Sequence, residues 1–185
     1  MPEPASSITH RTPTGLSSPW LRRFAPLVKN GGQVLDVACG NGRHARIFLD
    51  LGNEVTVIDK DLSRVQDLVE AGKIEAIEAD LEIGKPWPLA GRQFDAVVVV
   101  NYLHRPLFPD LVASVAPEGF LIYETFAVGN ERFGRPRNPD HLLRPNELLA
   151  LTEATCEPLA FEQAELGPPR PAVVQRLCAR RLTPV

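Results

Sequence analysis

The stretch VLDVACGNGRHA, residues 34–45, contains the signals that decide the fold. Its apolar start around Asp36 predicts a buried strand. Gly40 and Gly42 then predict a tight turn, because glycine adopts positive φ values without a steric penalty. The residues after the turn have the apolar spacing of a helix. A strand, a glycine turn and a helix in this order bring the backbone close to a ligand, so the stretch predicts a binding site.

Alternating strands and helices are predicted on both sides of this stretch. Strands are expected at 33–38, 54–58, 74–78, 94–100 and 119–126, and helices at 43–51, 61–71, 105–115 and 145–153. An earlier helix is predicted in SPWLRRFAPLV, with Ser18 as its N-cap, Pro19 at its first position and Leu27 on its apolar face.

Two extended segments near the end, CEPLAFEQAEL and AVVQRLCARRL, are separated by the breaker GPPRP and predict an antiparallel hairpin. Several of the earlier strands are continuously apolar, as expected when helices cover both faces of a sheet. We therefore expect an α/β fold with a Rossmann-like, doubly wound, mostly parallel seven-stranded sheet and a C-terminal antiparallel hairpin at its edge.

The composition narrows the function classes. The chain has 185 residues, 44% of them hydrophobic and 23% charged, with a net charge of −3. This predicts one domain at 18–185 after a flexible arm at 1–17, and argues against nucleic acid as a partner. No apolar run is long enough to cross a membrane, and no signal peptide is recognisable, so a cytoplasmic protein is expected. The three cysteines lack metal-ligand spacing, and no metal is predicted.

Polar residues close the predicted parallel strands, where such sheets bind ligands. Asp59 ends the second strand nineteen residues after Gly40, where a carboxylate can accept hydrogen bonds from both ribose hydroxyls. Asp80 follows the third strand, where an acceptor can meet an adenine amino group. The fourth strand ends in NYLHR, residues 101–105. A nucleoside with a polar group beyond its ribose fits this arrangement.

A dinucleotide is the first alternative. Gly40-x-Gly42-x-x-Ala45 matches the fingerprint of NAD-binding proteins, and Asp59 stands at the expected distance. The predicted elements leave no second half for the nicotinamide, however, and Asp36 in the first strand suits an ammonium group better than a pyrophosphate. These two features disfavour a small NAD-dependent oxidoreductase, which is kept as the alternative function.

The joint spacing of these residues resembles the class I S-adenosylmethionine-dependent methyltransferases. DVACGNG is similar to their first motif, Asp59 to the acid that closes their second strand, and Asp80 to their adenine-side acid. The hairpin resembles their last two strands, of which the seventh is inserted antiparallel. The segments GNGRHA, YLHRP and FGRPRNP further resemble the tellurite-resistance-type small methyltransferases. Ala38 and Lys60 depart from the family, which has glycine at the first position in its fullest motif and more often an apolar residue at the second.

The resemblance implies S-adenosyl-L-methionine as the cofactor and a small-molecule acceptor as the partner. In the family's terms, Asp36 faces the ammonium group, Asp59 the ribose, and Asp80 the adenine. Arg43 is a candidate for the methionine carboxylate. The full implied set of cofactor-binding residues is Asp36, Ala38, Gly40, Gly42, Arg43, Asp59, Lys60, Asp80, Leu81 and Asn101.

The acceptor side is predicted from two segments. Tyr102 and His104 stand where the transferable methyl group should lie, and His104 is a candidate general base because its ordinary pKa is near neutral; both also suit structural roles. Residues 127–144 are too long and too rich in Gly and Pro for a plain connection, which predicts a substrate-side loop or lid. Its arginines are candidates for binding an anionic acceptor, or belong to a solvated loop: Arg132, Arg135 and Arg137.

These features predict an enzyme that aligns a small, anionic acceptor in line with the methyl–sulfur bond. A non-catalytic S-adenosylmethionine-binding subunit is the second alternative, because catalysis by positioning needs no recognisable acid–base pair.

Overall fold

The computed structural model describes residues 16–183, so the predicted arm at 1–17 lies outside them except for its last two residues. Seven strands form one sheet: β1 Gln33–Val37, β2 Glu54–Asp59, β3 Ile74–Glu78, β4 Phe94–Val100, β5 Val115–Phe126, β6 Cys156–Leu166 and β7 Ala172–Arg181. Five short α-helices accompany them: α1 Pro19–Phe24, α2 Ala45–Asp50, α3 Gln66–Glu70, α4 Phe108–Ala113 and α5 Glu147–Thr152. Within the described range no helix is long and apolar enough to cross a membrane.

The sheet has the strand order β3-β2-β1-β4-β5-β7-β6. The strands from β3 through β5 pair in parallel, whereas β7 pairs antiparallel with both β5 and β6. The predicted doubly wound sheet and terminal hairpin are confirmed, with β6 at the edge and β7 inserted inside. Because β1 to β4 are parallel, their carboxyl ends, which carry the predicted site residues, meet at one edge.

Helices cover both faces of the sheet and create two hydrophobic cores. On one face Trp20, Leu21 and Phe48, from α1 and α2, pack over the central strands. On the other face Phe108 and Leu148, from α4 and α5, pack against the opposite sides of the same strands. This two-sided burial explains why Ala96–Val100 of β4 are all buried, as the continuous apolar run predicts.

The boundaries of several elements differ from the prediction. The helices expected at 61–71 and 105–115 each begin with a 3₁₀ turn, so that α3 starts at Gln66 and α4 at Phe108. Ser18 caps α1 as expected, but Leu27 is 45% exposed because the chain leaves α1 through a 3₁₀ turn at Ala25–Leu27, which changes the periodicity. Helix α2 begins at Ala45 instead of residue 43, with His44 as its N-cap. Strand β5 begins at Val115, four residues before the prediction, and its pairing with β4 is irregular between Phe94 and Ala96.

Candidate active site

A cleft of about 180 Å³ opens at the carboxyl ends of β1, β2 and β3. Six residues singled out from the sequence line it: Ala38, Asp59, Lys60, Asp80, Leu81 and Tyr102. Four separate strand ends, those of β1 to β4, contribute these residues, and only the folded sheet brings them together. Among residues 16–183 no group of three His, Cys, Asp or Glu side chains could hold a metal ion.

The Asp59 carboxylate is held in a fixed orientation beside the glycine turn. Its Oδ2 accepts a hydrogen bond from the Gly40 backbone N–H at 2.8 Å, and its Oδ1 accepts one from the Asp61 N–H at 3.1 Å. Gly40 has a φ of +56°, a left-handed conformation that glycine adopts without strain. Each oxygen keeps one lone pair, so the carboxylate can accept two further hydrogen bonds from a ligand.

Gly42 and Asp36 hold the turn in place from below. A Cβ on Gly42 would lie 2.7 Å from Cγ1 of Val65, so the close contact requires glycine. The Asp36 carboxylate, only 1% exposed, accepts a hydrogen bond from the Ala45 N–H at 3.1 Å and thereby fixes the start of α2. Burial raises the pKa of Asp36 to about 7, although this hydrogen bond and the nearby Arg43 lower it.

The sequence predicts a helix from residue 43, which would place Arg43 and His44 in its first turn. In the structure both residues lie immediately before α2. The helix starts later because Asp36 binds the Ala45 N–H. Arg43 Nε donates a hydrogen bond to His44 Nε2 at 3.2 Å, and the backbone N–H of Ser18 donates to the same nitrogen at 3.3 Å. This buried junction therefore links the glycine turn to the beginning of α1.

The end of β4 places two candidate residues differently. Tyr102 lines the cleft with Asp59 and Asp80, and its hydroxyl oxygen is buried without a hydrogen-bond partner among residues 16–183. Burial, and then the carboxylates of Glu82, Asp80 and Asp59, raise the pKa of Tyr102 well above its usual range, so the hydroxyl stays protonated. His104 is half-buried and lies just before the 3₁₀ turn Arg105–Leu107.

Asn101 marks the bend between β4 and these residues. It is exposed, has a φ of +59°, and its backbone N–H donates to the Glu124 carbonyl at the neighbouring end of β5. The left-handed backbone turns the chain sharply out of the sheet, which directs Tyr102 back toward the cleft.

The segment 127–144 is anchored at several points. Arg105 pairs with Glu147, at 2.7 Å between Nε and Oε1, and also donates to the carbonyls of Asp140 and Leu142. Asn130, 2% exposed, accepts a hydrogen bond from the Val173 N–H and donates to the Pro136 carbonyl. The middle of the segment, residues 131–141, is mostly exposed.

The three candidate arginines of this segment differ in their contacts. Arg132 Nη2 lies 2.8 Å from Glu165 Oε2, so β6 neutralises this guanidinium. Arg135 and Arg137 are exposed and form no ion pair with any residue in 16–183. Of the three candidates, these two are open to an anion.

Two contacts at the site were not predicted from the sequence. Glu82 lines the cleft and faces Tyr102, although the loop after β3 and the end of β4 are far apart in the chain. Ser18 Oγ donates to Glu124 Oε2 at 2.8 Å across 106 residues. A local pattern could have indicated only Glu82, which stands two residues after Asp80.

Comparisons with known proteins agree with this geometry. Residues 34–117, from β1 to the start of β5, match a family model described as a methyltransferase domain. A search of curated protein sequences gave no match.

Solved structures share the fold. TehB from Haemophilus influenzae superposes with a TM-score of 0.73 at 19% identity over 91% of this chain, which spans 63% of the TehB chain. The N-methyltransferase NodS from Bradyrhizobium japonicum gives 0.69 at 17% identity, over 88% of this chain and 93% of NodS. The 1,6-didemethyltoxoflavin-N1-methyltransferase from Burkholderia thailandensis, solved with S-adenosylhomocysteine and 1,6-didemethyltoxoflavin bound, gives 0.64 at 18% identity, over 89% and 79%. The chain is thus similar to a methyltransferase domain over residues 34–117, and it shares the fold of these solved methyltransferases.

Proposed function

We propose that this chain transfers the methyl group of S-adenosylmethionine to a small, anionic acceptor. The observation that carries the proposal is the orientation of Asp59, which Gly40 and Asp61 hold at the mouth of the cleft with free lone pairs on both oxygens. Two acceptor oxygens at fixed positions match the two hydroxyls of a ribose.

The remaining cofactor contacts follow from this placement. With the ribose at Asp59, the adenine extends toward Asp80 and Leu81 at the end of β3. The methionine part then extends the other way, over Gly40 and toward Asn101 and Arg43. Asp36 is too deeply buried for direct contact and acts by holding the turn.

The acceptor is expected beyond the methionine part, over the carboxyl ends of β4 and β5. Transfer forms a bond from the acceptor atom to the methyl carbon and breaks the carbon–sulfur bond, and the electron pair of that bond remains on sulfur. His104 lies near this position and would take the proton of a neutral acceptor, whereas an anionic acceptor needs no base. Alignment and exclusion of water then supply the catalysis.

Two features support a small, anionic acceptor. Arg135 and Arg137 are exposed guanidinium groups on the segment 127–144. We propose that this segment is a substrate-side loop or lid within one methyltransferase domain at 18–185. The relative from Burkholderia thailandensis binds a small heterocycle on the same fold.

The test is release of S-adenosylhomocysteine from S-adenosylmethionine, measured by mass spectrometry with a panel of small carboxylate, phenolate and thiolate acceptors. The proposal predicts product with at least one anionic acceptor and none with a variant lacking the Asp59 carboxylate. Binding of the cofactor without product on any acceptor would instead support a non-catalytic subunit.

A further inference from the structure

The buried imidazole of His44 joins two elements that flank the proposed methionine end of the site. It is 3% exposed, and its Nε2 is shared by the Ser18 N–H at 3.3 Å and Arg43 Nε at 3.2 Å. Burial, together with Arg43 and Arg22, lowers the pKa of His44 to about 3. The imidazole is therefore neutral near physiological pH and acts as a hydrogen-bond acceptor.

This contact fixes the direction of the Arg43 guanidinium. Nε is occupied by His44, whereas the two terminal nitrogens form no hydrogen bond or ion pair with any described residue. The side chain is half-buried, and burial lowers the pKa of Arg43 even though Asp36 and Glu124 attract its charge. A partly desolvated guanidinium with both terminal nitrogens free matches the two oxygens of a carboxylate.

The Ser18 side of the junction is equally constrained. Ser18 Oγ donates to Glu124 Oε2 at 2.8 Å, and Arg176 Nε lies 3.0 Å from the same oxygen. The start of α1, the glycine turn and the end of β5 are thus connected through buried polar contacts. Such a unit keeps its geometry before the ligand arrives.

We propose that His44 is a positioning residue, which directs Arg43 toward the carboxylate of the methionine part of S-adenosylmethionine. The inference rests on the proposed function, since it assumes that this cofactor occupies the site. It adds a role for a residue that touches neither the cofactor nor the reacting atoms.

The experiment compares two ligands by isothermal titration calorimetry. S-adenosylhomocysteine carries the amino acid, whereas 5′-methylthioadenosine has the same nucleoside and a thioether but no carboxylate. His44→Leu removes the acceptor nitrogen. We expect it to lower the affinity for S-adenosylhomocysteine by about tenfold and to change the affinity for methylthioadenosine by less than about twofold. His44→Gln retains an acceptor and should restore most of the affinity.

Two controls separate positioning from general loss of structure. Thr152→Val removes a buried hydroxyl in α5 that donates to the Leu148 carbonyl, and should leave both affinities unchanged. In an Arg43→Ala background, His44→Leu should cause no further loss, because the group it directs is gone. If His44→Leu does not fold, Arg43→Ala alone must show the same selective loss.

Three results would overturn the inference. Equal weakening of both ligands would mean that His44 only supports the fold. Unchanged binding of both, with a raised acceptor KM, would assign Arg43 to the acceptor. Failure of the wild-type protein to bind S-adenosylhomocysteine would remove the proposed function itself, which the first two results would leave intact.

Discussion

The two ends of the same parallel strands show what distinguishes a binding site from a surface groove. At the amino ends a groove of about 460 Å³ includes Thr56, Glu75 and Arg92, and it is larger than the cleft of about 180 Å³ at the carboxyl ends. In the groove Arg92 forms two hydrogen bonds to Glu75, of 2.7 and 2.8 Å, and Thr56 also bonds Glu75. In the cleft no carboxylate is ion-paired within residues 16–183. The oriented Asp59 carboxylate without an ion-pair partner, and not volume, marks the site.

The largest effect is expected from removing one carboxylate at each end. Asp59→Ala removes both oriented acceptors. It should lower the affinity for S-adenosylhomocysteine at least about 100-fold, since hydrogen bonds to a charged group contribute about 1.5–3 kcal/mol each. Glu75→Ala should change the affinity by less than about twofold, because its carboxylate is already neutralised by Arg92. Calorimetric titration of both variants measures the difference in affinity, and a similar loss in both would contradict the assignment of the site to the cleft.

A second comparison concerns two ion pairs, one beside the segment 127–144 and one formed by Arg132 within it. Arg105 and Glu147 have side chains that are 28% and 13% exposed and form a two-point contact, whereas Arg132 and Glu165 are 58% and 55% exposed. Glu147→Ala should lower the free energy of unfolding by about 2–4 kcal/mol, because it leaves a partly buried guanidinium without a partner. Glu165→Ala should lower it by less than about 1 kcal/mol. Urea denaturation measures both free energies of unfolding, and equal losses would show that the contribution of these ion pairs does not depend on their burial.

Asp36 gives the third prediction, a dependence of stability on pH. Its pKa is about 7 in the folded protein and 3.8 is its ordinary value, so the folded state holds the proton more tightly. Stability should therefore be greatest at low pH within this window and fall as pH rises from about 4 to about 7. Asp36→Asn keeps an acceptor for the Ala45 N–H and should be more stable than the wild type at pH 8, by about 1–3 kcal/mol.

Thermal unfolding of both proteins at pH 5 and pH 8 tests this account of Asp36. A wild-type contribution that increases with pH would mean that the folded state favours the ionised carboxylate, which contradicts a raised pKa of Asp36. Asp61, whose pKa is lowered chiefly by hydrogen bonds with Ser63, is exposed and provides a control position.

The smallest effect is expected on the acceptor side. Arg137→Ala should raise the acceptor KM several-fold and leave the KM for S-adenosylmethionine unchanged, if this exposed guanidinium meets the anion. Arg132→Ala is the matched control, because Glu165 already pairs with Arg132. Steady-state kinetics with any acceptor that turns over measures both constants. An equal rise in the two constants for Arg137→Ala would contradict its assignment to the acceptor.

The glycine turn, Asp59 and Asp80 could be predicted from the sequence because each stands at the end of an apolar strand with a fixed spacing. The two-sided core followed from the continuously apolar strands, whereas the inserted antiparallel strand was implied by the family resemblance. The start of α2 could not be predicted, since Asp36 in β1 binds the Ala45 N–H from another element. Neither could the meeting of Glu82 with Tyr102, because β2 and β1 separate their strands in the sheet.

Counting charges along the chain did not predict which arginines are available to an anion. The arginines after β5 look like one basic cluster, but Glu165, 33 residues from Arg132 in the chain, neutralises that member and leaves two others exposed. The contacts of His44 with Ser18 and Arg43 likewise depend on how α1 packs against the turn. Such tertiary contacts have no local sequence pattern.

The most direct test of the central claim is calorimetric titration of the wild-type protein with S-adenosylhomocysteine and, separately, with NADH. The account predicts saturable binding of S-adenosylhomocysteine at one site per chain and no heat of binding with NADH. Binding of NADH without S-adenosylhomocysteine would contradict it, and would mean that the turn at Gly40 and Gly42 serves a dinucleotide.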